Sequence, residues 1–311
     1  MTRYSDRRVR LIVRKTRLDE LVFRHNTAGQ AKFYIESLGG SFSDIQTEHE
    51  RYIKAKLQAQ MVLDGLGRLE TVERELVPNY IFGPDDLVVC LGQDGLVANV
   101  LKYLPTQPVL GVNPDPQRWD GLLLRATLHN LESQSRLAID NKLIATPVRL
   151  AEAVLNDGQS LKAVNDLFIG ASSHISARYD IAFDGHQERQ SSSGVIVSTG
   201  LGSTGWYSSL MSGAMGLSGM RDEDDPTFNH SWAMDAPELR FTVREPFVSK
   251  TSLAGLLKGV VATGDVLTIE SQMGGKGVIF SDGVEHDEME FNAGAIATIQ
   301  ISNQSGWLLK P

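Results

Sequence analysis

The sequence has little that would support a covalently cross-linked, metal-bound or membrane-embedded protein. Its 311 residues include one cysteine, Cys90, so an intrachain disulfide and a cysteine-based zinc site are excluded and a reducing, cytoplasmic compartment is favoured. No apolar run approaches the roughly 18 residues of a spanning helix, so we expect no membrane partner. Basic residues are also few. The net charge is −8, which argues against nucleic acid as a partner.

The remaining composition predicts two globular domains. The length is sufficient for two hydrophobic cores, and the basic N-terminus lacks the apolar centre of a secretory signal. We expect an N-terminal α/β domain over residues 1–150 and a β-rich domain over residues 151–295. Residues 296–311 are expected to return to the first domain. The histidines show no metal-ligand spacing, so we predict no metal held by the protein itself.

The first half alternates between strand and helix patterns. Leu87–Leu91 is a continuous apolar run, typical of a parallel strand buried on both faces. Residues 96–104 have helical spacing, and residues 108–112 indicate the next strand. A further helix is predicted over residues 47–66. The loop that contains Asp94 is therefore expected at the carboxyl end of a parallel strand, where ligands of such sheets bind.

The second half has a different pattern. Apolar residues alternate between 174 and 183, and Asp184-Gly185 indicates a hairpin. Residues 221–226, which are rich in acidic side chains, are expected to form a solvated loop. Further strands are predicted at residues 239–244, 266–271, 278–281 and 296–302.

The loop Gly92-Gln93-Asp94-Gly95 has two interpretations. Asp94 could simply cap the following helix while the glycines relieve steric strain. Alternatively, the glycines could let phosphate approach the backbone, with Asp94 serving a hydroxyl group, because phosphates repel a carboxylate.

A second glycine-rich loop spans residues 198–209. Its Gly200–Gly205 pattern has dinucleotide-fingerprint spacing, which raises the alternative of an NAD-dependent oxidoreductase. That alternative is disfavoured because residues 212–219 are poor helix formers and no acid follows a second apolar strand. We interpret the segment as a binding loop that offers the hydroxyls of Thr204 and Ser209 and the stacking face of Trp206.

The pair Asn165-Asp166 lies between these loops. It could be a capped turn that enters a strand. It could also bind a ligand, since an amide beside a carboxylate can hold adenine edges or a ribose diol.

The order of the three motifs resembles the NAD kinase family. That family has Gly-Gly-Asp-Gly-Thr after a strand, then Asn-Glu, then Ser-Thr-Pro-Thr-Gly-Ser-Thr-Ala-Tyr. Here the motifs read Gly92-Gln-Asp-Gly-Leu96, Asn165-Asp166 and Ser198-Thr-Gly-Leu-Gly-Ser-Thr-Gly-Trp206. The similarity covers residues 85 to 305 in collinear order and is greatest to the branch that contains the animal mitochondrial enzyme. Flanking blocks that resemble this branch lie at 111–116, 192–194, 244–246 and 292–297.

The resemblance implies the NAD kinase/diacylglycerol kinase-like fold. In that fold an N-terminal three-layer α/β domain with a parallel sheet precedes a β-rich NAD-binding domain, and the active site lies between them. It also implies transfer of a phosphoryl group from ATP, or another donor, with Mg²⁺, to the adenosine 2′-hydroxyl of NAD. We expect nucleotide ligands and a homodimer or higher homo-oligomer.

The resemblance assigns site residues position by position. Asp94 matches the catalytic base, and the Gly92 and Gly95 amides would hold phosphates. Asn165 and Asp166 match the adenine and ribose contacts. The residues that would line the dinucleotide are Ser193, Thr204, Trp206 and Ser209.

Two departures keep alternatives open. Gln93 replaces a glycine and Leu96 replaces a threonine, both where the donor should bind. A non-catalytic NAD-binding protein of the same fold is therefore an alternative. A related kinase acting on a lipid or sugar is another.

Overall fold

The computed structural model describes residues 3–219 and 231–310. The predicted acidic loop at 221–226 and His230 lie outside the described residues. By its internal contacts the chain forms two compact units. Unit 1 comprises Met1–Thr146 and Trp307–Pro311, and unit 2 comprises Pro147–Gly306.

Unit 1 alternates strands with helices. Its strands are β1 (Arg8–Val13), β2 (Arg68–Glu73), β3 (Leu87–Leu91), β4 (Pro108–Asn113) and β5 (Ala126–Thr127). Its helices are α1 (Arg17–His25), α2 (Ala28–Ser37), α3 (Phe42–Leu66), α4 (Asp94–Leu101) and α5 (Leu131–Ile139). The strands and helices predicted from residues 47 to 112 are thus confirmed, with α3 five residues longer at its start.

A parallel sheet forms the centre of unit 1. Strands β2, β1, β3 and β4 lie in that order, and all three pairings are parallel. Trp307 and Leu308 pair in parallel with the other edge of β4. Residues 87, 89 and 91 pack with α3 and α5, whereas Val88 and Cys90 are fully buried on the opposite face. This two-sided burial explains why the sequence of β3 is apolar throughout.

Unit 2 is mostly antiparallel β-structure, with one α-helix among its described residues. Its elements are β6 (Ile144–Leu155), β7 (Ser160–Ala163), β8 (Asp166–Ala171), β9 (Ala177–Phe183), β10 (His186–Ser192), β11 (Val195–Ser198), α6 (Trp206–Ser218), β12 (Glu238–Val243), β13 (Lys258–Ala262), β14 (Leu267–Ser271), β15 (Gly277–Ser281), β16 (Val284–Glu290) and β17 (Ile296–Lys310), whose last residues belong to unit 1.

Two antiparallel sheets of unit 2 enclose a common core. One has the order β13-β12-β11-β8-β15-β16, and in the other β10, β9, β14 and β17 are successive neighbours. Ile169, Val197 and Phe241 of the first pack with Tyr179 and Ile269 of the second, all of them fully buried. The predicted Asp184-Gly185 hairpin is confirmed: both residues have positive φ and join β9 to β10.

The helices among the described residues are all too short or too polar to cross a membrane.

The parallel sheet of unit 1 and the antiparallel sheets of unit 2 confirm the predicted α/β class with a second, β-rich part.

Candidate functional site

The loop after β3 directs one carboxylate toward two backbone donors. β3 ends at Leu91, Gln93 is the N-cap residue, and Asp94 is the first residue of α4. The side chain of Asp94 does not cap its own helix. Its two carboxylate oxygens accept hydrogen bonds from the backbone N–H groups of Leu123 at 2.8 Å and Leu122 at 3.0 Å. The capping interpretation of Asp94 is therefore wrong.

Gly111 on β4 brings those donors within reach. A Cβ atom at Gly111 would lie 2.3 Å from the carbonyl oxygen of Leu123, so only glycine lets the 121–124 segment lie this close to the strand. Gly121 begins that segment with a φ of +69°, in the left-handed region. Gly111, which lies 17 positions after Asp94, thus helps to fix the orientation of the Asp94 side chain.

The two glycines of the loop have different surroundings. A Cβ at Gly92 would lie 2.8 Å from Cδ2 of Leu96, so a larger residue there would have to displace the buried leucine side chain. A Cβ at Gly95 would meet no atom within 4 Å. The fold therefore does not require Gly95, and the space beside it is open to a ligand.

A cavity of about 250 Å³ lies beside Gln93. Four cationic side chains line it together with three carboxylates: Arg14, Lys15, Arg17, Arg74, Glu20, Glu48 and Glu75. Arg14 pairs with Glu48 at 2.9 Å and lies over the ring of Tyr52. The Nε atom of Arg14 is buried without a hydrogen-bond partner among the described residues. The cavity therefore offers cations and a donor to an anionic ligand.

In unit 2 the Asn165-Asp166 backbone is held by Asp282. The Asp282 carboxylate accepts from the backbone N–H groups of Val164 at 3.0 Å, Asn165 at 2.6 Å and Asp166 at 3.4 Å. The N–H of Asp282 donates in return to the carbonyl oxygen of Asp166 at 2.9 Å. These bonds use backbone groups of Asn165 and Asp166 and not their side chains.

Asp166 is a half-buried residue whose carboxyl group has one fully buried, unused oxygen. Burial raises its pKa from 3.8 to about 7, a hydrogen bond with Ser198 opposes this rise, and the negative charge of Asp282 adds to it. Its Oδ1 atom is buried and has no hydrogen-bond partner among residues 3–219 and 231–310. Such an oxygen is unfavourable unless a ligand hydroxyl or amine donates to it.

The 198–209 loop follows an antiparallel strand. β11 pairs antiparallel with both β8 and β12, whereas a dinucleotide fingerprint follows a strand of a parallel βαβ unit. Gly200 and Gly202 instead allow close packing. A Cβ on them would lie 1.9 Å from the Ala233 carbonyl oxygen and 2.2 Å from that of Asn165, respectively. The oxidoreductase alternative thus loses its structural basis.

The segment after this loop is helical, contrary to the sequence-based expectation for residues 212–219. α6 runs from Trp206 to Ser218 and buries Tyr207 and Met211. Burial of these large side chains stabilises the helix more than the internal glycines weaken it. Gly219, with a φ of +70°, ends the helix in the left-handed conformation.

The residues predicted to line the dinucleotide lie around α6 and the β10–β11 turn. Thr204 and Ser209 are exposed, while Ser193 and Trp206 are half-buried. Trp206 stacks with Phe168 at a centroid distance of 5.7 Å. These two aromatic rings help to line a cavity of about 270 Å³, which also contains Arg244.

Arg244 was not predicted as a site residue. Its guanidinium lies 5.0 Å from the centroid of Trp206, and its Nε atom is buried without a partner in the described parts of the chain. It could have been found in the sequence only through the flanking block 244–246. The backbone donors of Leu122 and Leu123 leave no sequence signal of their own, and Asp282 looks like an ordinary hairpin residue.

The fold defined by these units is that of an NAD kinase. The chain matches the crystal structure of an NAD kinase from Archaeoglobus fulgidus in complex with ATP with a TM-score of 0.57. That match covers 97% of this chain and 93% of the other, at 19% sequence identity. No family model matches the chain.

The sequence is similar to named relatives over most of its length. It is 24% identical to NAD kinase 2, mitochondrial, from Homo sapiens, over 86% of this chain and 74% of the relative. The Rattus norvegicus protein of the same name is 25% identical over 86% of this chain and 77% of the relative. The resemblance to the NAD kinase family, and to its animal mitochondrial members, is therefore confirmed.

Replacing Asp166 by asparagine should stabilise the protein in a pH-dependent way. In the unfolded chain this aspartate ionises near pH 4, whereas in the folded protein its pKa is about 7. Between the two pKa values the folded state binds more protons than the unfolded state. The free energy of unfolding of the wild type therefore falls as the pH rises from about 4 to about 7. Asparagine does not titrate. The free energy of unfolding of Asp166→Asn relative to wild type should therefore increase by roughly 1–4 kcal/mol as the pH rises from about 4 to about 8.

Urea unfolding of both proteins at the two ends of this range measures the gain. A difference in unfolding free energy that is the same at both pH values would contradict the buried, proton-binding carboxyl group.

Two alanine variants should separate the glycine that the fold requires from the glycine that it does not. Gly111→Ala would push Leu123 away from β4, and we expect a loss of roughly 2–4 kcal/mol of stability. Gly95→Ala lies in a helix with open space beside it, so we expect unchanged stability or a gain of up to about 1 kcal/mol. Thermal unfolding compares the variants, and equal effects at the two positions would contradict the assignment.

Proposed function

We propose that the protein is an NAD kinase, which transfers a phosphoryl group from ATP or another phosphoryl donor to the adenosine 2′-hydroxyl of NAD and so forms NADP. The observation that supports this most is the placement of Asp94. Its carboxylate stands at the carboxyl end of a parallel strand, at the start of α4, and two backbone N–H groups orient it. The named relatives and the shared fold support the same activity.

Asp94 is proposed as the general base. Each of its oxygens accepts one backbone N–H and keeps a second lone pair, so the carboxylate can accept the proton of a hydroxyl group. Phosphoryl transfer needs little covalent work from the protein, only positioning, charge neutralisation and a base for the nucleophile. Asp94 supplies the base.

The donor phosphates are proposed to bind between the Gly92–Gly95 loop and the cavity beside Gln93. The helix dipole favours negative charge at the start of α4, whereas the Gly92 N–H already donates to the carbonyl oxygen of Val112 at 3.2 Å. Arg14, Lys15 and Arg74 add positive charge. Mg²⁺ would arrive with the donor, as part of the substrate, and neutralise the remaining phosphate charge.

NAD is proposed to bind through the unit 2 residues. The unpartnered Oδ1 of Asp166 suits a ribose hydroxyl, and Asn165 beside it suits an adenine edge. Trp206 offers an aromatic face, with Arg244 stacked on it. Ser193, Thr204 and Ser209 provide hydroxyls around this surface.

We also propose a reducing compartment, such as the cytoplasm. Cys90 is fully buried in β3, and burial raises the pKa of its thiol, so it behaves as a small apolar residue. Nothing about this cysteine requires an oxidising environment.

The activity is tested by a coupled NADPH assay on wild type and Asp94→Asn. We expect NADP formation by wild type and a fall in kcat of about 10²- to 10⁴-fold in the variant. Asparagine keeps the shape of the side chain but cannot take a proton. The matched control is Asp85→Asn, an exposed carboxylate before β3, which should retain wild-type kcat.

The structural role of Asp94 must be separated from its catalytic role, because asparagine also changes the bonds to Leu122 and Leu123. Calorimetry with NAD should therefore show unchanged affinity in Asp94→Asn. Undiminished kcat in the variant would remove Asp94 from the mechanism.

A non-catalytic NAD-binding protein is the second candidate, and the packing of Leu96 favours it. Leu96 is buried against Gly92, in the position where the family has a threonine hydroxyl. This candidate expects NAD binding without turnover with any nucleotide or polyphosphate donor. Mass spectrometry of NAD, NADH, lipid and sugar alcohols incubated with those donors also tests whether another acceptor is used.

Gln93→Gly should improve use of the donor. Gln93 lines the cavity proposed for the donor, so its side chain occupies space that the phosphates need, and glycine would expose the backbone N–H. We expect a lower KM for ATP with an unchanged KM for NAD. If the glutamine amide instead binds the donor, the KM for ATP should rise by a factor that corresponds to about 1–3 kcal/mol. Unchanged donor kinetics would exclude both roles.

A further inference from the structure

The outer face of α3 carries an apolar stripe that the described chain leaves uncovered. Ile53, Leu57 and Met61 follow one another at intervals of four residues, and Leu57 and Met61 are 58% and 74% exposed. Residues at i and i+4 share one face of a helix. A groove of about 550 Å³ runs along this face. The opposite face of α3, with Tyr52, Ala59 and Leu63, is buried against the sheet of unit 1.

Charged residues continue the stripe at both ends. Glu50 and Lys54 lie at its N-terminal end, and Asp64 lies at its C-terminal end, seven residues after Leu57. All three are exposed. Asp64 also pairs with Arg3 at 2.8 Å, but both side chains are about half exposed, and such pairs contribute little to stability.

Gly65 supports close approach of another helix at this face. It lies four residues after Met61, near the end of a 25-residue helix, where glycine costs roughly 1 kcal/mol relative to alanine. A Cβ at Gly65 would meet no atom within 4 Å, so the fold of the chain itself does not require a glycine here.

The charge pattern distinguishes the possible orientations of a second α3. In a parallel pair, Lys54 would face Lys54 of the other copy and Asp64 would face Asp64, which is unfavourable. In an antiparallel pair of identical helices, the residue numbers of facing residues have a constant sum. That sum is the same for Leu57 with Met61 as for Lys54 with Asp64, so a pair with Leu57 opposite Met61 also places Lys54 opposite Asp64. A two-fold axis generates each contact twice.

We propose that the outer face of α3 is a self-association surface on which two copies of this chain pair antiparallel, with Leu57 against Met61 and Lys54 against Asp64. One helix pair buries less area than a standard interface of about 1,600 Å². The proposal is independent of the catalytic assignment.

Disulfide trapping in the full chain tests the register. Cys90 is the only cysteine and is fully buried, so engineered thiols have no competitor. Under mild oxidation, an equimolar mixture of Leu57→Cys and Met61→Cys should form a covalent heterodimer at least five times faster than either variant alone. Gln58→Cys, an exposed neighbour, sets the rate of random collision. Mixture rates no higher than this control, or faster trapping of Leu57→Cys alone, would overturn the proposal.

Charge reversal provides a second measurement. Sedimentation equilibrium of Lys54→Glu should show an association constant for this step lowered about tenfold, since attraction becomes repulsion twice. The double variant Lys54→Glu/Asp64→Lys should restore it to within about threefold of wild type. A double variant as weak as the single one would overturn the Lys54–Asp64 pairing, and kcat should be unchanged in both variants.

Discussion

The geometry of the proposed acceptor site depends on the carboxylate of Asp282. This residue stands in the turn between β15 and β16, where a φ of +56° followed by Gly283 turns the chain back. Its carboxylate accepts from three consecutive backbone N–H groups, so it fixes the backbone before β8 without using the side chains there. Asn165 and Asp166 therefore keep their own hydrogen-bonding capacity. A carboxylate from another part of the chain satisfies the backbone, and the local side chains stay available for a ligand.

The two proposed site carboxylates lie in different environments. Asp94 in unit 1 is half-buried and already accepts two backbone hydrogen bonds. The Asp166 carboxyl group in unit 2 has a fully buried oxygen, and burial raises its pKa to about 7. A hydroxyl that donates to Asp166 favours the ionised form, so acceptor affinity and the charge state of Asp166 are linked. A ligand that donates a hydrogen bond to this carboxyl group would therefore offset part of the cost of burying its charge.

The sequence predicted the parts of the fold whose signals are local. The apolar run of β3, the Asp184-Gly185 hairpin and the α3 periodicity all come from side chains that are close in sequence. The helix α6 was not predicted, because packing of Tyr207 and Met211 outweighs the low helix propensity of its glycines. The positions of Asp94 and Asp166 could be named, but not what holds them. Those partners are the Leu122 and Leu123 backbone groups and a distant turn residue, and neither gives a pattern.

The route of the chain through the units has a consequence for biosynthesis. Unit 2 is one continuous segment, Pro147–Gly306, whereas unit 1 combines Met1–Thr146 with Trp307–Pro311. Unit 2 can therefore assemble as soon as its segment has left the ribosome. The start of β4, at Pro108 and Val109, must wait for Trp307 and Leu308, almost two hundred positions later. Val112 and Asn113 of β4 already pair with β5, but the start of that edge stays unpaired until then, and an unpaired strand edge is open to aggregation or chaperone binding.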